Sequence, residues 1–149
     1  MITALKSLFL LPESESASNT DRTQRVQLAA AALLVETARA DFTQSASEEA
    51  ALEKLISESL ALPRQAVHDL IATASARVEE ATSLYEFTRV INDYYGPEEK
   101  LALIASMWKV AYADGDLDKY EEHLIRQVAE LTYVPHQDYI RCKLEAKPH

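Results

Sequence analysis

The chain has 149 residues, 48% of them apolar, and it carries a formal net charge of −9 with two glycines and one cysteine. This length suits a single domain, and so few glycines exclude an all-β fold with many tight turns, so an all-α domain is predicted. The negative charge excludes a DNA- or RNA-binding surface and disfavours an anionic membrane, whereas cations and basic protein segments are compatible partners.

Residues 1–20 predict a short helix followed by a polar linker. Ile2, Leu5 and Phe9 share one helical face, and PESESASNTD then reads as a linker. This helix either docks on the core or serves as a partner-binding arm. The apolar run is too short for a signal peptide, and no stretch reaches the roughly 18 apolar residues of a membrane span. The single cysteine excludes an intrachain disulfide, so a cytoplasmic protein is predicted.

A helical domain is predicted over residues 21–149. Its first helix is expected at 21–40, with Asp21 as the candidate N-cap. Further helices are expected at 48–60, from Pro63, at 83–95, from Pro97, at about 121–131 and from Pro135. The fold class is therefore all-α, with seven to eight helices in one bundle.

The two long helices predict an internal duplication. Residues 28–41 align with 101–114 at a constant offset, and both segments end in Ala-Asp. If the loop of the first copy is allowed one extra residue, an acid and then a proline of the first copy also align with an acid and a proline of the second. These pairs are Glu49 with Glu121 and Pro63 with Pro135. We therefore predict a bundle built on an internally duplicated helical hairpin.

The densest acidic segment of the chain, AYADGDLDKYEE at residues 111–122, follows the second long helix. Its alternating carboxylates are oxygen ligands of the kind that Ca²⁺ or Mg²⁺ binds, and the absence of His and Cys within 111–122 disfavours softer metals. It is not an EF-hand, because Lys119 and Ile125 occupy the sixth and twelfth positions counted from Asp114. The candidate metal ligands are Asp114, Asp116, Asp118 and Glu121, with Asp41 and Glu49 as their counterparts in the first copy.

The same segment is also compatible with a capped turn between two helices. Gly115 can close a helix in the left-handed conformation, and Asp118 with Glu121 has the spacing of a capping pair. A turn of this kind requires neither Asp114 nor Asp116, and negative charge near a helix C-terminus is unfavourable. From the residues alone, the cation site and the capped turn both remain open.

The segment KVAYADGDLDKYEEHLIRQVAEL, residues 109–131, resembles the second repeat of the TerB-like family. This is the all-helical fold of tellurite-resistance TerB proteins and of the N-terminal domain of DjlA-type co-chaperones. The matching motif is Ala113, Asp114, Gly115 and Glu121, with Ala40, Asp41 and Glu49 as a weaker first copy. The resemblance extends over residues 21–147. It implies a helical domain whose acidic positions bind a divalent metal, acting in a stress response or as a protein-interaction module.

Two features depart from the family pattern. Phe42 stands where the first copy should have glycine, and TQSAS replaces the acids, so a second cation site is not expected. The sequence also contains no His-Pro-Asp tripeptide, so the DnaK stimulation typical of DjlA-type proteins is not expected.

The sequence contains no recognisable catalytic motif, such as a nucleophile elbow, a phosphate-binding loop or H-E-x-x-H. We therefore predict a non-enzymatic domain that binds a divalent cation, a partner protein or both through the acidic segment. The sequence is also compatible with a homo-oligomer and does not identify the oligomeric state. One alternative is a metal-dependent hydrolase using the same carboxylates, which needs a neighbouring base and an open cleft. The other is a purely structural scaffold.

Overall fold

The computed structural model describes residues 19–39, 46–80, 83–113 and 119–147, and in these ranges it contains seven helices and no strand. The helices are α1 Asn19–Arg39, α2 Ala46–Leu60, α3 Arg64–Glu80, α4 Tyr85–Tyr94, α5 Pro97–Tyr112, α6 Lys119–Leu131 and α7 His136–Ala146. The predicted all-α fold is confirmed. The short helix expected near the N-terminus lies outside the described residues, and the domain boundary at residues 20 and 21 stays a prediction.

The start of α1 differs from the sequence expectation. The helix begins at Asn19, so Asp21 lies within its first turn and is not the N-cap. An acid in the first turn still stabilises the helix, because its charge opposes the positive end of the helix dipole.

Helix α1 lies at the centre of the bundle and packs against α2, α3, α4, α5 and α6. Every side chain from Leu28 to Val35 is at most 3% exposed. A helix that is apolar on all sides needs neighbours on all sides, and the run of alanines at 29–32 lets those neighbours approach closely.

Helix α5 is the second core helix and packs against α1, α2, α6 and α7. It buries Ile104, Met107 and Trp108 completely. The indole ring of Trp108 lies 5.3 Å from the ring of Tyr139 in α7 and 6.0 Å from that of Tyr112, measured between centroids. No described helix has both the length and the apolarity needed to cross a bilayer.

The backbone carries the same helix ending twice, at the positions that the sequence alignment pairs. Ala61 and Tyr133 both adopt the left-handed conformation, with φ angles of 54° and 62°. Each lies two residues before a proline, Pro63 or Pro135, that directly precedes the next helix. A left-handed residue just beyond a helix is the usual C-terminal stop, although glycine is preferred there.

The hydrogen bonds around these two stops also match. The amide of Leu62 donates to the Ser57 carbonyl at 3.1 Å, and that of Val134 donates to the Ala129 carbonyl at 2.9 Å. Both are the long-range bond of a Schellman motif. A helical hairpin followed by a third helix is therefore present as α1–α2–α3 and again as α5–α6–α7, with α4 between the copies. In each copy the first helix packs most extensively on the third.

Candidate metal site at the acidic loop between α5 and α6

The structure describes the flanks of the predicted metal site. Asp114, Asp116 and Asp118 fall in 114–118 and Asp41 in 40–45, both outside the described residues. Glu49 lies near the start of α2, and only its helical backbone position is described. Within the described ranges, no group of three or more His, Cys, Asp or Glu side chains is placed to hold a metal ion. Glu121 is thus the one candidate ligand whose side-chain surroundings are known.

Helix α5 ends immediately before the acidic loop. The amide of Ala113 donates to the carbonyl of Val110 at 3.2 Å, which tightens the last turn. Tyr112 is half-buried and stacks on Trp108, so the loop starts from a helix end that is anchored in the core.

Glu121 is buried in the first turn of α6, with 2% of the residue's surface exposed. Ionised carboxylates are rarely buried this deeply, since losing water costs free energy that other charges or hydrogen bonds must offset. The amide groups and the dipole at the start of a helix generally offset part of such a cost. The position therefore directs a carboxylate into the protein interior next to the loop that carries the three aspartates.

Glu122, the next residue, is held in a different way. Its Oε1 accepts from the Lys143 ammonium of α7 at 2.7 Å, and both side chains are partly exposed. The Lys143 Nζ also lies 5.6 Å from the centroid of the Trp108 ring, within reach of a cation–π contact. These contacts connect the start of α6 to α7 and to the buried end of α5.

Tyr139 packs against the Trp108 ring, next to the Lys143–Glu122 ion pair. Burial, with a smaller contribution from the nearby negative charge of Glu122, raises the pKa of the Tyr139 hydroxyl to about 12. Tyr139 is therefore neutral at physiological pH and serves as packing surface for Trp108.

Sequence reasoning did not identify the contacts that Lys143 and Tyr139 make with Glu122 and Trp108. Lys143 and Glu122 are 21 residues apart on different helices, so no local spacing relates them. The alignment of the two copies does distinguish this pair. Ala50 aligns with Glu122 and Ile71 aligns with Lys143, so the first copy has no charges at these positions. At these two positions the second copy therefore has an ion pair and the first copy has two uncharged residues.

A separate cavity of about 510 Å³ lies at the opposite end of α5. Its wall includes Val26, Leu34 and Leu103 and a pair of hydroxyls, Ser59 and Ser106. The Ser106 hydroxyl donates to the Ala102 carbonyl at 2.9 Å, so the Ser59 hydroxyl donates to Ser106 at 2.8 Å. Both hydroxyl hydrogens therefore have hydrogen-bond acceptors within the protein.

Comparison with known protein families gives a match over most of the chain. A family model described as "Tellurite resistance protein TerB" matches residues 27–144, which cover most of both copies of the hairpin and the whole acidic loop. This match confirms the resemblance drawn from residues 109–131. Searches of curated proteins and of solved structures found no match.

Proposed function

Because the chain belongs to the tellurite resistance protein TerB family, we propose that it is a non-enzymatic binding domain whose acidic α5–α6 loop holds a divalent cation. The proposed ligands are Asp114, Asp116, Asp118 and Glu121. The bound ion organises the loop for contact with a partner protein, and a role in a tellurite-type stress response is part of the same proposal.

The observation that carries the proposal is the burial of the Glu121 carboxylate beside an aspartate-rich loop. A glutamate that only caps a helix accepts a hydrogen bond from a backbone amide, and this role does not require the carboxylate to be buried. A carboxylate that ligates a cation exchanges its water for the ion, so burial is compatible with the charged form.

The chemistry of the residues suits a hard cation. All four proposed ligands supply carboxylate oxygens, which Ca²⁺ and Mg²⁺ prefer, and the chain already carries a net charge of −9. A divalent ion bound here supplies positive charge between the C-terminal end of α5 and the acids that follow. It thereby relieves the repulsion that Asp114 meets at a helix C-terminus.

The first copy is proposed to be weaker or inactive as a cation site. Asp41 and Glu49 are the only acids there that match the ligands of the second copy, and Phe42 replaces the glycine. Hard cations bind through several oxygens, so two carboxylates with no acids in the intervening loop are a poor set.

Thermal unfolding in EDTA and then in excess Ca²⁺, Mg²⁺ or Mn²⁺ tests the proposal. An ion that binds the folded chain should raise the Tm by several degrees, since an ion at 100 times its Kd adds about 2.7 kcal/mol. Asp114→Asn combined with Asp116→Asn should remove this shift. The matched control, Glu58→Gln with Glu79→Gln, changes the net charge equally at two exposed positions and should keep it.

If no ion raises the Tm of the wild-type chain selectively, or if the control loses the shift as fully as the double Asp variant, the cation proposal fails. The hydrolase alternative makes a different prediction. It requires turnover of a phosphoester or peptide substrate by the ion-loaded protein, and turnover that disappears in the double Asp variant would replace the non-enzymatic proposal.

A further inference from the structure

The outward face of α7 carries an apolar pair that the described helices leave exposed. Ile140 is 37% exposed and Leu144 is 62% exposed. The two lie four residues apart, on the same side of the helix, and they line a shallow surface groove together with Gln137, Arg141 and Glu145.

The duplicated hairpin supplies an internal comparison for this face. Helix α3 is the counterpart of α7, and their inward positions agree, with Val67 and Leu70 buried like Tyr139 and Cys142.

At the two outward positions the copies differ. The first copy has His68 and Ala72, both exposed, where α7 has Ile140 and Leu144. The first copy therefore folds without large apolar side chains at these positions, so Ile140 and Leu144 are not required by the fold of the repeat.

A row of opposite charges runs beside the apolar pair. Arg141 and Glu145 are four residues apart and occupy neighbouring turns of one side of α7. The helix as a whole is electrically balanced, since Asp138 and Glu145 match Arg141 and Lys143. Lys143, however, lies against Glu122 and Trp108, so the outward side carries Asp138, Arg141 and Glu145, with a net charge of −1 out of −9 for the chain.

We propose that this face binds a second copy of the chain, with the two α7 helices packed antiparallel about a twofold axis. In that arrangement each row of side chains meets the same row of the other helix in reverse order. Ile140 then packs on Leu144 of the partner subunit. Arg141, which is paired with Asp138 of its own helix at 3.1 Å, also meets Glu145 of the partner subunit. The same surface patch of each subunit thus contacts its own copy, as in an isologous interface.

The size of the face sets the strength of the dimer. A single helix of 11 residues cannot bury the surface of a standard interface, and smaller interfaces are typical of weak or transient association. The dimer should therefore form reversibly, with a Kd on the order of micromolar to millimolar. Formation does not require the cation, so protein in EDTA should associate equally well, and this separates the dimer from the proposed function.

Sedimentation equilibrium of the full chain over a wide concentration range tests the proposal. The wild-type chain should show a concentration-dependent mass rising from monomer towards dimer. The double variant Ile140→His with Leu144→Ala, which copies the outward positions of the first repeat, should fold with a similar Tm and stay monomeric. A wild-type chain that is monomeric throughout, or a double variant that dimerises equally, would overturn the proposal.

A charge-swap cycle tests the geometry. Glu145→Arg places like charges opposite each other twice in the antiparallel pair, and it should raise the dimer Kd at least about tenfold. Adding Arg141→Glu restores opposite charges in reversed order and should recover most of the wild-type affinity. If the swapped double variant, shown by its Tm to be folded, remains as weak as the single variant, the antiparallel pairing is wrong.

Discussion

Glu121 and Glu122 are adjacent acids in one helical turn, and the fold gives them different surroundings. Glu122 is partly exposed and pairs with Lys143 at 2.7 Å. Glu121 turns inward and is 2% exposed. The spacing of acids in the sequence predicted Glu121 as a candidate ligand, but it does not predict that Glu121 is buried while Glu122 is not. It depends on how the first turn of α6 docks on the core.

This difference yields a prediction for two matched variants. Glu121→Gln keeps the shape of the side chain and removes a proposed ligand, so the rise in Tm caused by the cation should disappear. Glu122→Gln should keep that rise and lose only a partly exposed ion pair, at a cost of about 0–1 kcal/mol in the free energy of unfolding. Thermal melts with and without the ion measure both. Equal responses of the two variants would contradict the assignment of Glu121.

His68 provides a test that does not involve the acidic loop. Its Nδ1 lies 3.0 Å from Oε1 of Glu53, and the hydrogen bond and charge of that carboxylate raise the pKa of the imidazole above its usual value of 6.5. Because the folded-state pKa is the higher one, the pair stabilises the fold fully below pH 6.5, and this contribution is lost as pH rises through the folded-state pKa.

Glu53→Gln should therefore lower the pKa of His68, as followed by its ring proton shifts in NMR. The stability difference between the wild type and this variant should be present at mildly acidic pH and vanish at alkaline pH. Glu58→Gln, an exposed acid on the same helix, serves as the control and should leave the His68 titration unchanged. A His68 pKa that is the same in all three proteins would disprove the pairing.

At the scale of helices, apolar periodicity was sufficient to predict all seven described elements. Their ends were less predictable. Proline was expected inside the first turn of the helices that follow it, and this is correct for Pro97, whereas Pro135 is the residue before α7. At the first helical residue and at the residue before it, the backbone N–H has no partner within the helix, so proline loses no hydrogen bond at either position. The sequence alone therefore does not distinguish the two positions.

The central position of α1 is a second feature that periodicity does not specify. One buried stripe containing Leu28, Ala31 and Val35 was predicted, and the structure buries every residue between Leu28 and Val35 as well. An Ala- and Leu-rich helix is compatible with either outcome. Which one occurs depends on how many other helices surround it, and that is a property of the whole bundle.

The two left-handed helix stops yield a prediction about stability. Glycine relieves the strain that a Cβ atom meets at positive φ, so Ala61→Gly should raise the free energy of unfolding by about 1 kcal/mol. Tyr133→Gly should gain less, because the ring of Tyr133 lies 5.8 Å from the Lys100 ammonium and an exposed contact of this type is worth roughly 0.5–1 kcal/mol.

Chemical denaturation measures these changes, and Ala72→Gly is the control. Ala72 is exposed in the middle of α3, where glycine should cost about 1 kcal/mol. Destabilisation of the Ala61→Gly variant to the same extent as the control would contradict the left-handed conformation at that stop.

At the scale of the molecule, one duplicated framework carries two different surfaces. The second copy has the aspartate-rich loop, the Glu122–Lys143 ion pair and the apolar outward face of α7. The first copy has Ala50, Ile71, His68 and Ala72 at matching positions and lacks most of the acids. Both copies contribute to one core through α1 and α5, so the shared fold is maintained, and the features proposed here for binding all belong to the second copy.

Isothermal titration of the EDTA-treated, ion-free chain with Ca²⁺, and separately with Mg²⁺, tests the central claim most directly, because the stoichiometry counts the functional copies. We predict one ion per chain, no binding after Asp114→Asn with Asp116→Asn, and unchanged binding after Asp41→Asn. No heat of binding from either ion would contradict the claim that the acidic loop is a cation site. Two ions per chain, with one lost on changing Asp41, would contradict the claim that only the second copy has this function.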